Sequence, residues 1–84
     1  MSRTLRIGVL GRVQRPGYYY TPADVLLSDA IMRAGGPAAD ADVTKIVIRR
    51  GSDIIWSASD TRTALTDGLS LDRLHLRAGD EIEV

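Results

Sequence analysis

The strongest limit on how this chain can fold is one helical stretch set among strand-like ones. Leu27, Ala30, Ile31 and Ala34 recur at i, i+3, i+4 and i+7, a single apolar face about two turns long. Asp29 stands in the first turn and is expected to cap the helix, since a carboxylate there meets free N–H groups and the positive end of the dipole. Gly35 and Gly36 follow, where a left-handed backbone can close the helix, and Pro37 blocks its resumption. One helix cannot make a core alone, so it must lie on a sheet.

The strands that would form that sheet are legible as alternations. Leu5, Ile7 and Val9 alternate with Arg6, Gly8 and Leu10 in a half-buried strand from about Thr4 to Val13. Gln14-Arg15-Pro16-Gly17 reads as a type II turn, with Pro16 presetting φ and Gly17 accepting a positive one. Tyr18-Tyr19-Tyr20-Thr21 completes a hairpin. Ala38 to Val43 is a polar connection. Ile46 and Ile48 mark a third strand, Gly51-Ser52-Asp53 a turn, and Ile54 to Ser57 a short fourth strand. Ser59 to Asp67 reads as irregular or as one short helical turn. Leu69, Leu71, Leu74 and Leu76 are spaced for a short turn feeding the core. Gly79 and Asp80 turn the chain into a last strand, Glu81 to Val84. The order implies an α+β fold of β-grasp type, a mixed sheet of about five strands with one main helix on one face. The last strand would enter beside the first and bring Glu81 and Glu83 near Arg6.

Length allows one domain, residues 1–84, and the end of the chain within a strand suggests a piece excised from a longer protein. Eleven cations balance eleven anions, which argues against a nucleic-acid binder. No apolar run is long enough to insert in a bilayer, and no signal-peptide pattern is present. The charges are nevertheless divided. Residues 1–50 hold eight basic and four acidic groups, and residues 51–84 hold three and seven. Pairing between the halves would absorb this, as would head-to-tail association of copies.

Catalysis has little to work with. The chain has no cysteine, and its one histidine, His75, lies between Leu74 and Leu76 and reads as a partly buried structural residue. Asp24, Asp29, Asp40 and Asp42 lack metal-ligand spacing and offer no acid–base pair, so no catalytic residue, metal site or cofactor is expected. Gly8-Val9-Leu10-Gly11 lacks the pattern of a phosphate loop. The tyrosines are the better candidates. On a strand, Tyr18 and Tyr20 share one side and Tyr19 takes the other. Exposed rings with Arg12 and Arg15 nearby could stack on sugars and pair acidic groups, or equally cover the sheet or sit in an interface between domains. Trp56 reads as core.

Four stretches, in order, resemble one family. Val9 to Tyr19 is similar to V-x-G-x-V-x-x-P-G-x-Y, the opening motif of the soluble-ligand-binding β-grasp (SLBB) domain. Ser28 to Gly36 resembles its helix signature, L-x-D-A-I-x-x-A-G-G, with Ser28 in an ordinarily apolar place. Asp42 and Ile46 to Arg50 resemble its third strand, and Leu76 to Val84 its closing L-x-x-G-D-x-I-x-V. Arg12 stands where an acidic or small residue is common. The motif residues Pro16, Gly17, Asp29, Gly35, Gly36, Gly79 and Asp80 are structural on physical grounds.

The variant resembles that of bacterial outer-membrane polysaccharide export proteins. That resemblance implies a non-enzymatic module in the periplasm, assembled into rings with other copies and sibling domains. It extends to contact with the polysaccharide or with an inner-membrane partner. Related β-grasp domains are associated with cobalamin uptake and with large redox complexes, so binding of a cobalamin-like small molecule stays open here, as does docking of a partner protein.

Overall fold

The computed structural model describes residues 3–84. Its elements are β1 (Thr4–Leu10), β2 (Gly17–Pro22), α1 (Leu27–Arg33), a 3₁₀ turn (Val43–Lys45), β3 (Val47–Arg50), β4 (Asp53–Trp56), α2 (Ala58–Asp67) and β5 (Glu81–Glu83). The strands form one sheet in the order β2-β1-β5-β3-β4. β5 runs parallel to β1 and antiparallel to β3, so the sheet is mixed and its last strand lies beside its first, as the sequence predicts.

Alternation along the strands sorts the side chains. Leu5, Ile7 and Val9 of β1, Ile48 of β3 and Ile82 of β5 are buried in one cluster with Leu27, Ala30, Ile31 and Ala34 of α1. Leu71, Leu74 and Leu76 join the same cluster. Residues 69–72 are tied to 23–27 by backbone bonds, among them Leu27 N–H to the Leu69 carbonyl and Leu71 N–H to the Val25 carbonyl. Trp56 is half-buried and donates from Nε1 to the Leu74 carbonyl at 3.1 Å.

The structure departs from the sequence reading in five places. β1 stops at Leu10, and Val13 makes only an isolated bridge to Pro37. The hairpin connection is the whole of residues 11–16, with the left-handed backbone at Gly11 (φ 83°) and none at Gly17. A side chain at Gly11 would also strike the Val84 carbonyl. Pro16-Gly17 is therefore the entry to β2 and not the turn. Second, Asp29 makes no capping hydrogen bond; Leu26 is the N-cap, and Asp29 supplies only its charge to the first turn.

Third, residues 58–67 form a full second helix, capped by Ser57, whose Oγ accepts from Asp60 N–H and donates to the Asp60 carboxylate. Fourth, His75 is exposed, not partly buried, and is the single non-glycine residue with positive φ (57°) among those described. Fifth, Glu83 pairs with Arg49 at 3.1 Å instead of joining Glu81 near Arg6. The glycines after α1 behave as expected, with φ of 84° and 85° at Gly35 and Gly36.

Pairing between the charged halves is real. Arg3–Asp72, Arg49–Glu83 and Arg50–Asp80 each join a cation of the first half to an anion of the second. Only the last is shielded from water. Asp80 is 1% exposed and takes both Nε and Nη2 of Arg50 at 2.9 Å, together with the Arg77 N–H at 2.8 Å. The Asp80 hydrogen bonds raise the Arg50 guanidinium further above its ordinary value. Asp80 thus builds the Gly79-Asp80 turn and also clasps β3 to it.

Candidate binding face

The helices cover the inner face of the sheet, and the outer face carries the sites worth weighing. Register places Tyr18 opposite Gly8, Gly8 beside Glu81, Glu81 opposite Arg49 and Arg49 opposite Ile54. This is one row of residues across all five strands. A neighbouring row sets Tyr20 opposite Arg6.

Tyr18 is not a free ring. It leans over Gly8, where an added Cβ would lie 2.9 Å from its Cε2 and 3.1 Å from its Cζ. Glycine at position 8 is what allows the ring to come down onto the sheet. The Tyr18 hydroxyl then donates to the Glu81 carboxylate. The Arg6 guanidinium sits over the ring, 4.2 Å from its centroid, in a cation–π contact. The hydrogen bond to Glu81 raises the Tyr18 phenol above its ordinary range; burial and the Glu81 charge add to this, and Arg6 opposes it. Arg6, Tyr18 and Glu81 are one assembly of three strands.

Tyr20 is the open ring. It is 70% exposed, against 40% for Tyr18, and makes no side-chain hydrogen bond among the described residues. Tyr19 points inward, as alternation requires, and its hydroxyl donates to the Arg15 carbonyl. Of the four candidates named from sequence, the structure therefore brings Tyr18 and Tyr20 together on the outer face and sends the arginines elsewhere. The Arg15 N–H donates to the Ala34 carbonyl at the end of α1, on the helical side. Arg12 lies past the end of β1 and pairs with Asp40. Neighbours in sequence part company here because β1 ends at Leu10. Arg6 is the cation that meets the tyrosines, and only the cross-strand register shows it.

Arg12 belongs to a second feature, an open polar cup of about 300 Å³ lined by Arg12, Asp40, Asp42, Lys45, Glu83 and Val84. Asp42 accepts from the Thr44 hydroxyl and the Thr44 N–H, which hold its carboxyl below the usual range, with a smaller contribution from Lys45. These partners explain Asp42 as the cap of the 3₁₀ turn. Among the described residues no group of His, Cys, Asp and Glu is arranged to hold a metal ion. No helix of the described residues is long and apolar enough to cross a membrane.

A five-stranded mixed sheet with α1 after the first hairpin and β5 between β1 and β3 is a β-grasp domain, here with an aromatic and ionic outer face. The family can be stated more closely. The family model of the SLBB domain matches residues 6–58, more than half the chain, and the protein belongs to that family. The match runs from Arg6 in β1 through α1 and β4 to Ala58, the first residue of α2, while the rest of α2 and β5 lie beyond it. A search of the curated proteins returned no match.

Proposed function

We propose that this domain is a non-catalytic module of a capsule or exopolysaccharide export complex in the periplasm, part of an outer-membrane-associated protein. It contributes to ring assembly with other copies and sibling domains and contacts the polysaccharide through its outer sheet face. Membership of the SLBB family supports a binding role. The observation that carries the site is the exposed Tyr20 ring beside the Arg6–Tyr18–Glu81 assembly. A flat ring offers apolar contact to a sugar face, and the adjacent cation and carboxylate offer polar partners for hydroxyl or acidic groups. Tyr18 holds Arg6 in place, and Tyr20 meets the polymer. Cross-linking in cells of the protein that carries this module should capture oligomers, and monomers alone would contradict the assembly role.

A second reading rests on the polar cup. It is a concavity lined by Arg12, Asp40, Asp42, Lys45 and Glu83, polar groups that could orient a small charged ligand. A thermal shift with a cobinamide-like compound and none with oligosaccharides would favour this reading over the first.

A further inference from the structure

Four strand residues on the outer face are charged, Arg6 of β1, Arg49 of β3, and Glu81 and Glu83 of β5. Three of them have polar partners within the domain: Arg49 donates from Nε to Glu83 at 3.1 Å, and Glu81 accepts from the Tyr18 hydroxyl. Arg6 is the exception. Among the described residues its guanidinium pairs with no carboxylate, and the contact that fixes it is with the face of the Tyr18 ring, whose centroid lies 4.2 Å from its Cζ. Tyr18 is itself held, because Glu81 takes its hydroxyl and Gly8 leaves room for the ring against the sheet. A guanidinium seated on a fixed ring gives up less rotamer freedom on binding than a free exposed arginine does. The Arg6 side chain stays exposed, so its N–H groups are open to a ligand.

Register puts the open Tyr20 ring beside that guanidinium. Gly8 N–H donates to the Asp80 carbonyl and the Arg6 carbonyl accepts from Gly79, so the even-numbered residues of β1 turn their backbone groups toward β5. Arg6 and Tyr20 are therefore a non-hydrogen-bonded pair of β1 and β2, with Cα atoms ~4.5 Å apart and side chains closer than in the alternate pairs. Arg6 lies over Tyr18 and leaves the Tyr20 ring 70% exposed. A bare ring, a held guanidinium and the Glu81 carboxylate thus share one patch.

We propose that this patch selects acidic saccharides, with Arg6 setting the specificity by donating two N–H groups to a uronic-acid carboxylate. The inference rests on the saccharide-binding reading above and narrows its substrate class. The apolar face of the pyranose lies on Tyr20, the carboxylate meets Arg6, and ring hydroxyls donate to the remaining lone pairs of Glu81. Glu81 also limits the charge that can enter. One guanidinium beside one carboxylate suits a planar, singly charged group. A phosphate monoester, with a charge of about two, would meet twice the repulsion from Glu81.

The test compares an acid with its own methyl ester, which keeps the sugar and removes the charge. Tetramers of galacturonate and of mannuronate are the probes, titrated into this chain by amide NMR at moderate salt, where diffuse charge attraction is screened. For at least one sugar the acid should bind about tenfold more tightly than the ester, the margin of a charge-assisted pair, with shifts at Arg6, Tyr18 and Tyr20. Arg6→Gln should bring the two forms to within about twofold. Arg6→Lys keeps the charge without the paired N–H edge and should lose most of the preference. Gly8→Ala keeps the arginine but displaces the ring beneath it, and should weaken the preference as well. Acid and ester binding this face equally would overturn the inference and leave the saccharide reading standing, whereas no binding of either form would overturn both. An acid preference that Arg6→Lys retains in full, or one whose shifts fall at Arg12 and Lys45, would overturn the role of Arg6.

Discussion

The two faces of the sheet are built from alternate residues of the same strands, yet they do different work. On the inner face Ile7, Ile48 and Ile82 are completely buried beneath the helices. On the outer face Gly8, Arg49 and Glu81, one residue away from each, lie in the row that holds Tyr18 with its charged neighbours Arg6 and Glu81 in reach of water. On the function we propose, stability resides on one side and the means of recognition on the other. Substitutions of adjacent residues should therefore separate folding from binding.

The inner face should give the largest effect. Ile7→Ala removes a buried aliphatic side chain that nothing can replace and should cost about 2–5 kcal/mol in denaturant unfolding. A loss below 1 kcal/mol would mean that the inner face is not the core. Asp80→Ala comes next, because it strips the partners from Arg50 and from the Arg77 N–H. A melting temperature roughly 10 °C lower is expected. Gly8→Ala sharpens the comparison further. Its methyl group would displace the Tyr18 ring and break the bond to Glu81, with the fold retained and stability altered by about 1 kcal/mol or less.

The smallest effect is on titration. The raised phenol of Tyr18 means that the contribution of its neutral form to folding is complete below the ordinary value of 10.0 and is lost as pH rises through the folded-state value. Following the Tyr18 ring carbon by NMR should show a midpoint above the ordinary one, and Glu81→Ala should bring it down. An unchanged midpoint in that variant would remove Glu81 as the cause.

Much of the fold was legible because burial imposes a period. Leu5, Ile7 and Val9 announce β1, and Leu27, Ala30, Ile31 and Ala34 announce α1 with its glycine stop. The second helix escaped because its buried positions are Thr61 and Ala64, too polar and too small to make an apolar stripe. Its one signal was Ser57 followed three residues later by Asp60, the spacing of a helix start. Tyr18 and Tyr20 were found by alternation alone. Their arginine was not, since Arg12 and Arg15 are close in sequence and Arg6 is close in space. Likewise, Gly8 acquires its role only when register sets it under a ring.

The central claim is that the outer face binds the saccharide and the inner face carries the fold. The most direct test is an amide NMR titration of the domain with acidic and neutral oligosaccharide fragments at low and moderate salt. Saturable shifts confined to Tyr20, Tyr18, Arg6 and Glu81, surviving moderate salt and lost in Tyr20→Ala with its melting temperature unchanged, are the predicted result. Shifts centred on Arg12, Asp40 and Lys45, or none at millimolar saccharide, would contradict it.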